Sequence, residues 1–394
     1  CVSGLGANLS EAWENALAGV TGIGPHVVTV SEDIETTTLA AAVKEDPTQR
    51  LSSRFGRKSI MAVDRFSNFG AAATAEALED AGIELGSAQL QRASIVYGAC
   101  SGGVHSIESA YARMLIDRAG PHPLTIPRFM TSAPTSHLSI LFGVQGLCLT
   151  IATACASSAH AIAEGMHLIR AGRAETVIVG GTDASLTYAS LQSWKALQAV
   201  SQTACRPFSL GRDGTVIGEG AATLVLESEN SAHRRGARVH CLLVGAGATS
   251  DASHMTQPNA ESAARAVMEA YADAGLDVGE PALISAHGTG TVLNDHCETK
   301  VLHSIYSDGL FNHRVIATKS GHGHMLGASG AMEFILGIKA LNTATAPPIL
   351  SFVEGDPNCQ LPLVLKPEPI SYRTLVSNSF AFGGLNSVLI AQRV

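Results

Sequence analysis

Apolar positions in this chain fall into two recurring patterns, short unbroken runs and stripes spaced by three and four. The run Cys148-Leu-Thr-Ile-Ala152 reads as a buried strand. Just beyond it, Ile162, Met166 and Ile169 are apolar while His160, Glu164, His167 and Arg170 are polar, the spacing of a helix with one buried face. The same alternation predicts helices over 10–19, 61–81, 105–118 and 131–142, and strands over 93–98, 176–179 (closing on Gly180-Gly181) and 221–226. Residues 25–58 read as polar and irregular, ending in the basic group Arg54, Arg57 and Lys58. A short polar helix is expected over 228–236. Beyond it the order repeats. Strands are predicted over 240–246, 283–286 and 315–318, helices over 260–275, from Asp295 to about 304 and over 328–341, and a last strand pair from Leu375 across Phe380–Gly384.

Strand, helix, strand with short connections predicts crossover units and a largely parallel sheet. The chain divides at the polar helix into 1–236 and 237–394. Two echoes relate these halves. Ala154-Cys-Ala-Ser-Ser precedes a helix as Leu326-Gly-Ala-Ser-Gly does, and Gly218-Glu-Gly-Ala-Ala-Thr-Leu-Val-Leu matches Gly383-Gly-Leu-Asn-Ser-Val-Leu-Ile. They suggest a pseudo-twofold fold with a site where equivalent loops meet.

Composition narrows the function classes. The chain has 394 residues, 46% of them hydrophobic and 15% charged, enough for a large core. A net charge of −8 gives no electrostatic case for nucleic acid. The eight cysteines are scattered without a CxxC pair, so neither a disulfide framework nor a zinc site is expected, and a reducing, cytoplasmic setting is. No apolar run reaches membrane-spanning length, and no secretory signal is visible. The chain opens at Cys1 without a Met, which suggests that the lead-in of a first strand is missing.

Four glycine-flanked loops present reactive side chains just after predicted strands: Cys155, His287, Lys319 with His324, and Phe380–Gly384. Ligands of open α/β sheets bind beyond the carboxyl ends of strands. Cys155 lies at a strand-to-helix junction, where backbone N–H groups and the helix dipole favour a thiolate and can cradle an oxyanion. Most free cysteines are simply small buried hydrophobes, so this stretch alone leaves both readings open. Of fifteen histidines most are bystanders. His287 and His324 stand out by their loops, with His322 a rival in the same loop, His254 ambiguous, and His160 and His167 structural or solvent-facing. Lys319 ends an apolar strand and needs a carboxylate partner if buried, with Glu333 or Glu298 available; otherwise it is a surface charge. No Walker or dinucleotide-binding pattern appears in the right context, and neither a metal nor an organic cofactor is expected.

Taken together, the motifs Thr153-Ala-Cys-Ala-Ser, Arg206-Pro-Phe with Arg212-Asp-Gly and Gly218-Glu-Gly, His254-Met-Thr, His287-Gly-Thr-Gly-Thr, Lys319-Ser with Gly323-His324 and Leu326-Gly-Ala, and Asn378-Ser-Phe-Ala-Phe-Gly-Gly resemble a β-ketoacyl-[acyl-carrier-protein] synthase over nearly the whole chain. The resemblance implies a thiolase-type α/β fold, two pseudo-symmetric halves in α-β-α-β-α layers, and a dimer. It implies Cys155 as acyl acceptor with His287 and His324, the family pattern selecting His324 over His322. It further implies Lys319 beside the acidic positions Asp295, Glu298 and Glu333, and an oxyanion hole from the N–H groups of Cys155 and Phe382. Thr289 and Thr291 would meet the phosphopantetheine arm of an acyl carrier protein, with Phe380 beside them.

Departures from the family pattern bear on substrate. Ala381 stands where glycine is usual and Leu385 where threonine is. Ser101 is small where a bulky residue often limits the acyl pocket, while Trp194 falls where a pocket-floor aromatic is common. Met61 and Ala62 thin the basic docking helix, leaving Arg54, Arg57, Lys58 and Arg128 to meet an acidic carrier. Decarboxylative condensation, in fatty-acid or rather in specialised type II polyketide or polyene elongation, is the leading expectation. The chain would work as a homodimer, or only as a heterodimer with a chain-length-factor-like partner. A thiolase would need a second catalytic cysteine, and the only late one, Cys359, lies outside any glycine-rich loop. A non-catalytic subunit would lack the nucleophile, and nothing positions water for a cysteine hydrolase.

Overall fold

The computed structural model describes residues 1–394. Ten strands form two five-stranded sheets. The first holds β1 (Val2–Ser3), β4 (Ser94–Gly98), β5 (Cys148–Ile151), β6 (Thr176–Asp183) and β7 (Gly220–Glu227), in the order β1-β7-β6-β4-β5. The strands β2 (Gly24–Ser31) and β3 (Ile34–Ala40) pair only with each other, as an antiparallel hairpin. The second sheet holds β8 (Leu242–Ser250), β9 (Ala282–Ser285), β10 (Arg314–Ile316), β11 (Thr374–Ala381) and β12 (Leu385–Gln392), in the order β10-β9-β11-β12-β8. Read from its other edge, this is the first order again. The pairing types also repeat: two antiparallel pairs, then two parallel ones.

Five layers result. Helices Ser157–Arg170 and Ser329–Thr343 pack on each other and lie between the two sheets. From Ser329 to Leu341 only Lys339 escapes burial, as a helix covered on all sides requires. Helix Arg65–Asp80 covers the outer face of the first sheet, and helices Ala260–Ala274 and Val292–Tyr306 that of the second. This is the α-β-α-β-α arrangement expected of a thiolase-type fold. No helix is long and apolar enough to cross a membrane.

Several expected elements differ. Residues 25–58 are not irregular: they hold the hairpin and helix Thr48–Phe55. The alternation of exposed and covered residues in β2 and β3 is half-polar, because only one face of the hairpin is covered. Helix 61–81 begins only at Arg65, where Asp64 accepts from the Phe66 N–H as an N-cap. Helix Tyr188–Ala196 has a single fully buried residue, Leu191, and so lacked an apolar stripe. Strand β6 does not stop at Gly180-Gly181 but runs through them to Asp183. A side chain at Gly181 would stand 2.6 Å from the Gly327 carbonyl oxygen, so glycine here marks close approach rather than a turn.

Candidate active site

The first half supplies the sulfur. After β5 the chain makes a tight turn, with Ala154 in the left-handed region at φ 49°, and enters helix Ser157–Arg170. Ser157 staples the turn, accepting from the Thr153 N–H at 2.9 Å and donating to the Ala154 carbonyl at 2.7 Å. Cys155 sits on this turn, buried. The N–H groups of Phe382 and of Cys155 itself lie against its sulfur and favour the thiolate, as does the positive charge of Lys319. Burial nevertheless wins and pushes the thiol up to about 11. The expectation that the junction lowers this pKa is therefore corrected: desolvation outweighs the amides and the cation.

The second half supplies two histidines and a buried lysine. Between β10 and helix Ser329–Thr343 the chain inserts a helical turn, Lys319–His322, before its own tight turn at Leu326. His324 is pinned from the first half: its N–H donates to the Val216 carbonyl at 2.7 Å, and its carbonyl accepts from the Gly218 N–H at 2.9 Å. The motif ending in Gly218-Glu-Gly thus holds the histidine loop. The ring bridges Ser329 Oγ (Nδ1, 2.9 Å) and Cys155 Sγ (Nε2, 3.0 Å). His322 is buried too, but its Nε2 is 3.0 Å from Thr318 Oγ1, so His324 alone reaches the sulfur.

His287 follows β9, its ring 5.7 Å from that of His324 and nearly perpendicular to it. Lys319 is not a surface charge. It is fully buried, ion-paired with Glu333, and its Nζ donates to the His287 carbonyl (2.6 Å) and Nδ1 (3.1 Å). With Nδ1 accepting, the neutral His287 ring carries its proton on Nε2. Burial first, and then the Lys319 charge, hold both His287 and His324 well below the usual histidine range, hence neutral. Burial lifts Glu333 to about 7, against the pull of Lys319. Glu298 does not pair with Lys319: it accepts from the N–H groups of His287 (2.8 Å) and Gly288 (2.9 Å) and from Asn378. Asp295 accepts from the Phe208 N–H at 2.8 Å and pairs with Arg212, tying the Arg206-Pro-Phe segment to helix Val292–Tyr306.

Cys155, His287 and His324 open onto one cavity of about 290 Å³, lined also by Thr289, Thr291 and Phe380, among others. Trp194 and Phe382 also line it, stacked at 5.9 Å. Thr291 caps helix Val292–Tyr306, and its hydroxyl lies 2.9 Å from that of Thr289. Met255, Leu197 and Leu293 line the cavity while remaining exposed, an apolar rim that the sequence did not announce. Ala381 packs beside Cys155 and Ala156, with Leu385 against them, so both departures touch the Cys155 turn.

Other expected residues stand apart. Ser101 is not in the cavity lining; its N–H donates to Asp183. Arg54 pairs with Glu79, whereas Arg57 and Lys58 are exposed. Arg128 spends Nε and Nη2 on the carbonyls of Ala62 and Met61 and lines a separate polar cavity of about 190 Å³. Cys359 is also outside the active-site cavity. It forms with His296 and Asp356 a cluster of metal-ligand type, but Arg212 supplies the cation there, 2.7 Å from Asp356 and 3.3 Å from the Cys359 sulfur.

Comparison with known proteins agrees with this geometry. Residues 1–232 match the family described as β-ketoacyl synthase, N-terminal domain, and residues 240–353 match the C-terminal domain. The chain is 36% identical over 392 residues to nodulation protein E of Rhizobium leguminosarum bv. trifolii, covering 99% of this chain and 96% of that one. It is 33% identical to 3-oxoacyl-[acyl-carrier-protein] synthase 2 of Staphylococcus aureus (strain COL), covering 100% and 96%. Among solved structures, the ishigamide ketosynthase/chain length factor superposes with a TM-score of 0.91 at 30% identity, covering 100% of this chain and 97% of that one. The chain belongs to the β-ketoacyl synthase family, the condensing acyltransferases of fatty-acid and polyketide synthesis.

Proposed function

We propose that the chain elongates an acyl group held on Cys155 by decarboxylative condensation with malonyl-acyl carrier protein, giving β-ketoacyl-acyl carrier protein and CO2. The observation that carries this reading is the contact of the Cys155 sulfur with neutral His324, beside neutral His287 and the Lys319–Glu333 pair. The 1–236 half contributes the nucleophile, and the 237–394 half contributes the two histidines.

In the first stage the sulfur attacks the carrier thioester, and the N–H groups of Cys155 and Phe382 hold the developing oxyanion. The thiol proton must reach the departing carrier thiolate, and His324 Nε2 is the base within reach. In the second stage malonyl carrier enters. Its C–C bond breaks, CO2 leaves, and Nε2–H donors of both histidines stabilise the enolate oxygen. The Ser329 hydroxyl serves His324 in both stages, since it can accept from or donate to Nδ1. The enolate carbon then attacks the acyl carbon, and the C–S bond to Cys155 breaks. Lys319, fixed by Glu333, sets the His287 tautomer; Glu298 and Asp295 hold the loops. Thr289, Thr291 and Phe380 receive the pantetheine arm, and Trp194 and Phe382 form the aromatic side of the entrance. We assign the protein no cofactor of its own. Arg57, Lys58 and, in lesser degree, the engaged Arg54 and Arg128 offer docking charges to an acidic carrier.

We read the pathway as specialised polyketide or polyene elongation rather than bulk fatty-acid synthesis, a reading supported by the similarity to a ketosynthase paired with a chain length factor. A second subunit is supported by the outer strand β5, an unpaired sheet edge carrying exposed Leu149, beside Ile140 on the helix packed against it. That edge fits a second copy or, as a second reading favoured by the same similarity, a chain-length-factor-like partner. Intact mass after mixing with acyl carrier thioesters of graded length tests the reading. Acylation at Cys155 by one class is expected; no adduct from any of them, alone or with a co-purified partner, overturns it.

A further inference from the structure

Asp183, at the end of β6, plays no part in the chemistry above, yet it is fully buried and has no ion-pair partner. Its carboxylate accepts three backbone N–H bonds instead: from Cys100 (2.9 Å) and Ser101 (2.9 Å), in the loop after β4, and from Gly327 (2.8 Å), three residues beyond His324. Such bonds to an ionised group are about twice as strong as neutral ones. The fit admits only glycine at 327, where a side chain would stand 2.5 Å from Asp183 Oδ2 and 2.7 Å from the Cys100 nitrogen.

We propose that Asp183 is a positioning residue of the condensation, a fixed anion that locks the Cys100–Ser101 loop of the first half to the Gly327 turn that follows His324. This rests on the reading of the Cys155–His324 site given above. The lock has an electrostatic consequence. Facing Asp183 are the Cys100 thiol and Ser101 hydroxyl from the β4 loop and, from the nucleophile turn, Cys155. Burial lifts Asp183 to about 6, against the amides that hold its charge, so it is ionised at neutral pH. Its charge raises the Cys155 thiol, in opposition to Lys319, which lowers it.

Two variants separate geometry from charge. In Asp183→Asn the amide NH2 faces backbone donors and the charge is gone. In Gly327→Ala the charge stays and the clamp is forced open. Both should lower condensation by about tenfold or more, the loss of a charge-assisted bond. Alkylation of Cys155 by iodoacetamide, read by peptide mass across pH, distinguishes them. Asp183→Asn should move the alkylation midpoint down by about one pH unit, a roughly tenfold faster reaction at pH 7.5, converging with the parent below about pH 6, where Asp183 is protonated. Gly327→Ala should keep the parent's profile. A role in folding alone would lower rates without moving the midpoint. An unshifted profile in Asp183→Asn overturns the charge role, and undiminished condensation in both variants overturns the lock. If Asp183→Asn does not fold, condensation by Gly327→Ala decides. A parent whose Cys155 resists alkylation at every pH overturns the reading of the site instead.

Discussion

The two halves make the same tight turn and use it for opposite ends. Thr153-Ala154-Cys155-Ala156-Ser157 enters its helix through a non-glycine residue at φ 49°, and Leu326-Gly327-Ala328-Ser329 does so at φ 48°. In the first, the residue after the left-handed one carries a sulfur that faces a cavity. In the second it is Gly327, whose N–H is spent on the Asp183 carboxylate. The serines differ as well: Ser157 staples its own turn, while Ser329 holds the ring of His324. The largest difference precedes the turn. From Thr153 the first half goes straight to Ala154, whereas the second half inserts Lys319–Met325 between Thr318 and Leu326, and the buried lysine and the histidine both ride on that insertion. One turn leaves its sulfur open to the cavity; the matching turn is closed by an internal carboxylate and follows the segment that holds His324 against that sulfur. The closed copy also supports the oxyanion hole proposed for the open one, because an N–H on this turn holds a carboxylate oxygen at 2.8 Å.

The sharpest break of that comparison removes the sulfur. Cys155→Ala makes the first turn as mute as the second. Condensation should fall by about 10⁴-fold or more, since the covalent step is lost. Malonyl decarboxylation, assayed as CO2 release, should persist, because both histidines remain. β-Ketoacyl product from this variant would show that the nucleophile lies elsewhere.

Stripping the mount comes next. His324→Ala should cut decarboxylation by about 10²–10⁴-fold, the range for a positioned proton donor. pH dependence adds an independent check. Both ring pKa values lie well below 6.5, so the neutral donors persist as pH falls through 6.5. Decarboxylation should therefore show no acid limb near 6.5, and a limb there would mean that a histidine is charged in the free enzyme. The same shifts make the folded state bind fewer protons than the unfolded one, so stability should drop as pH falls through the unfolded histidine range.

Much of this was legible in the sequence because the elements involved are strongly patterned. The apolar runs ending at Ile151, Ser285 and Ile316 gave the parallel strands, and the glycine-flanked loops beyond them gave Cys155, His287, Lys319 and His324. What stayed hidden has no local signature. The hairpin Gly24–Ala40 covers only one face, so its polar residues masked its strands. Asp183 lies two residues beyond the glycine pair on which the expected strand closes, and its N–H donors stand 82, 83 and 144 residues away in sequence. The only clue was an acid at the end of an otherwise apolar run. The thiol pKa was misread for a related reason: the strand-to-helix junction is visible in the sequence, but the burial that outweighs its amides is a property of the folded chain.

The finest test asks whether the shared backbone is equally strained in both turns. A left-handed conformation costs a non-glycine residue about 1–2 kcal/mol, and glycine removes most of that cost. Leu326 and Ala154 have φ values within a degree of each other, so relief of strain alone predicts the same gain at both. The side chains break the tie. Leu326 is 1% exposed, packed with Ala40, Leu186, Leu191 and Ile217, so Leu326→Gly should lose about 2–4 kcal/mol net. Ala154 has only a methyl group to lose, so Ala154→Gly should be neutral or stabilising by up to about 1 kcal/mol. Denaturant melts of the two variants resolve the difference. If Ala154→Gly instead destabilised the protein as strongly as Leu326→Gly, the Ala154 methyl would be a packing element of the nucleophile turn. Its conformation would then be fixed by the Ala381–Leu385 cluster around Cys155 rather than by the Ser157 staple.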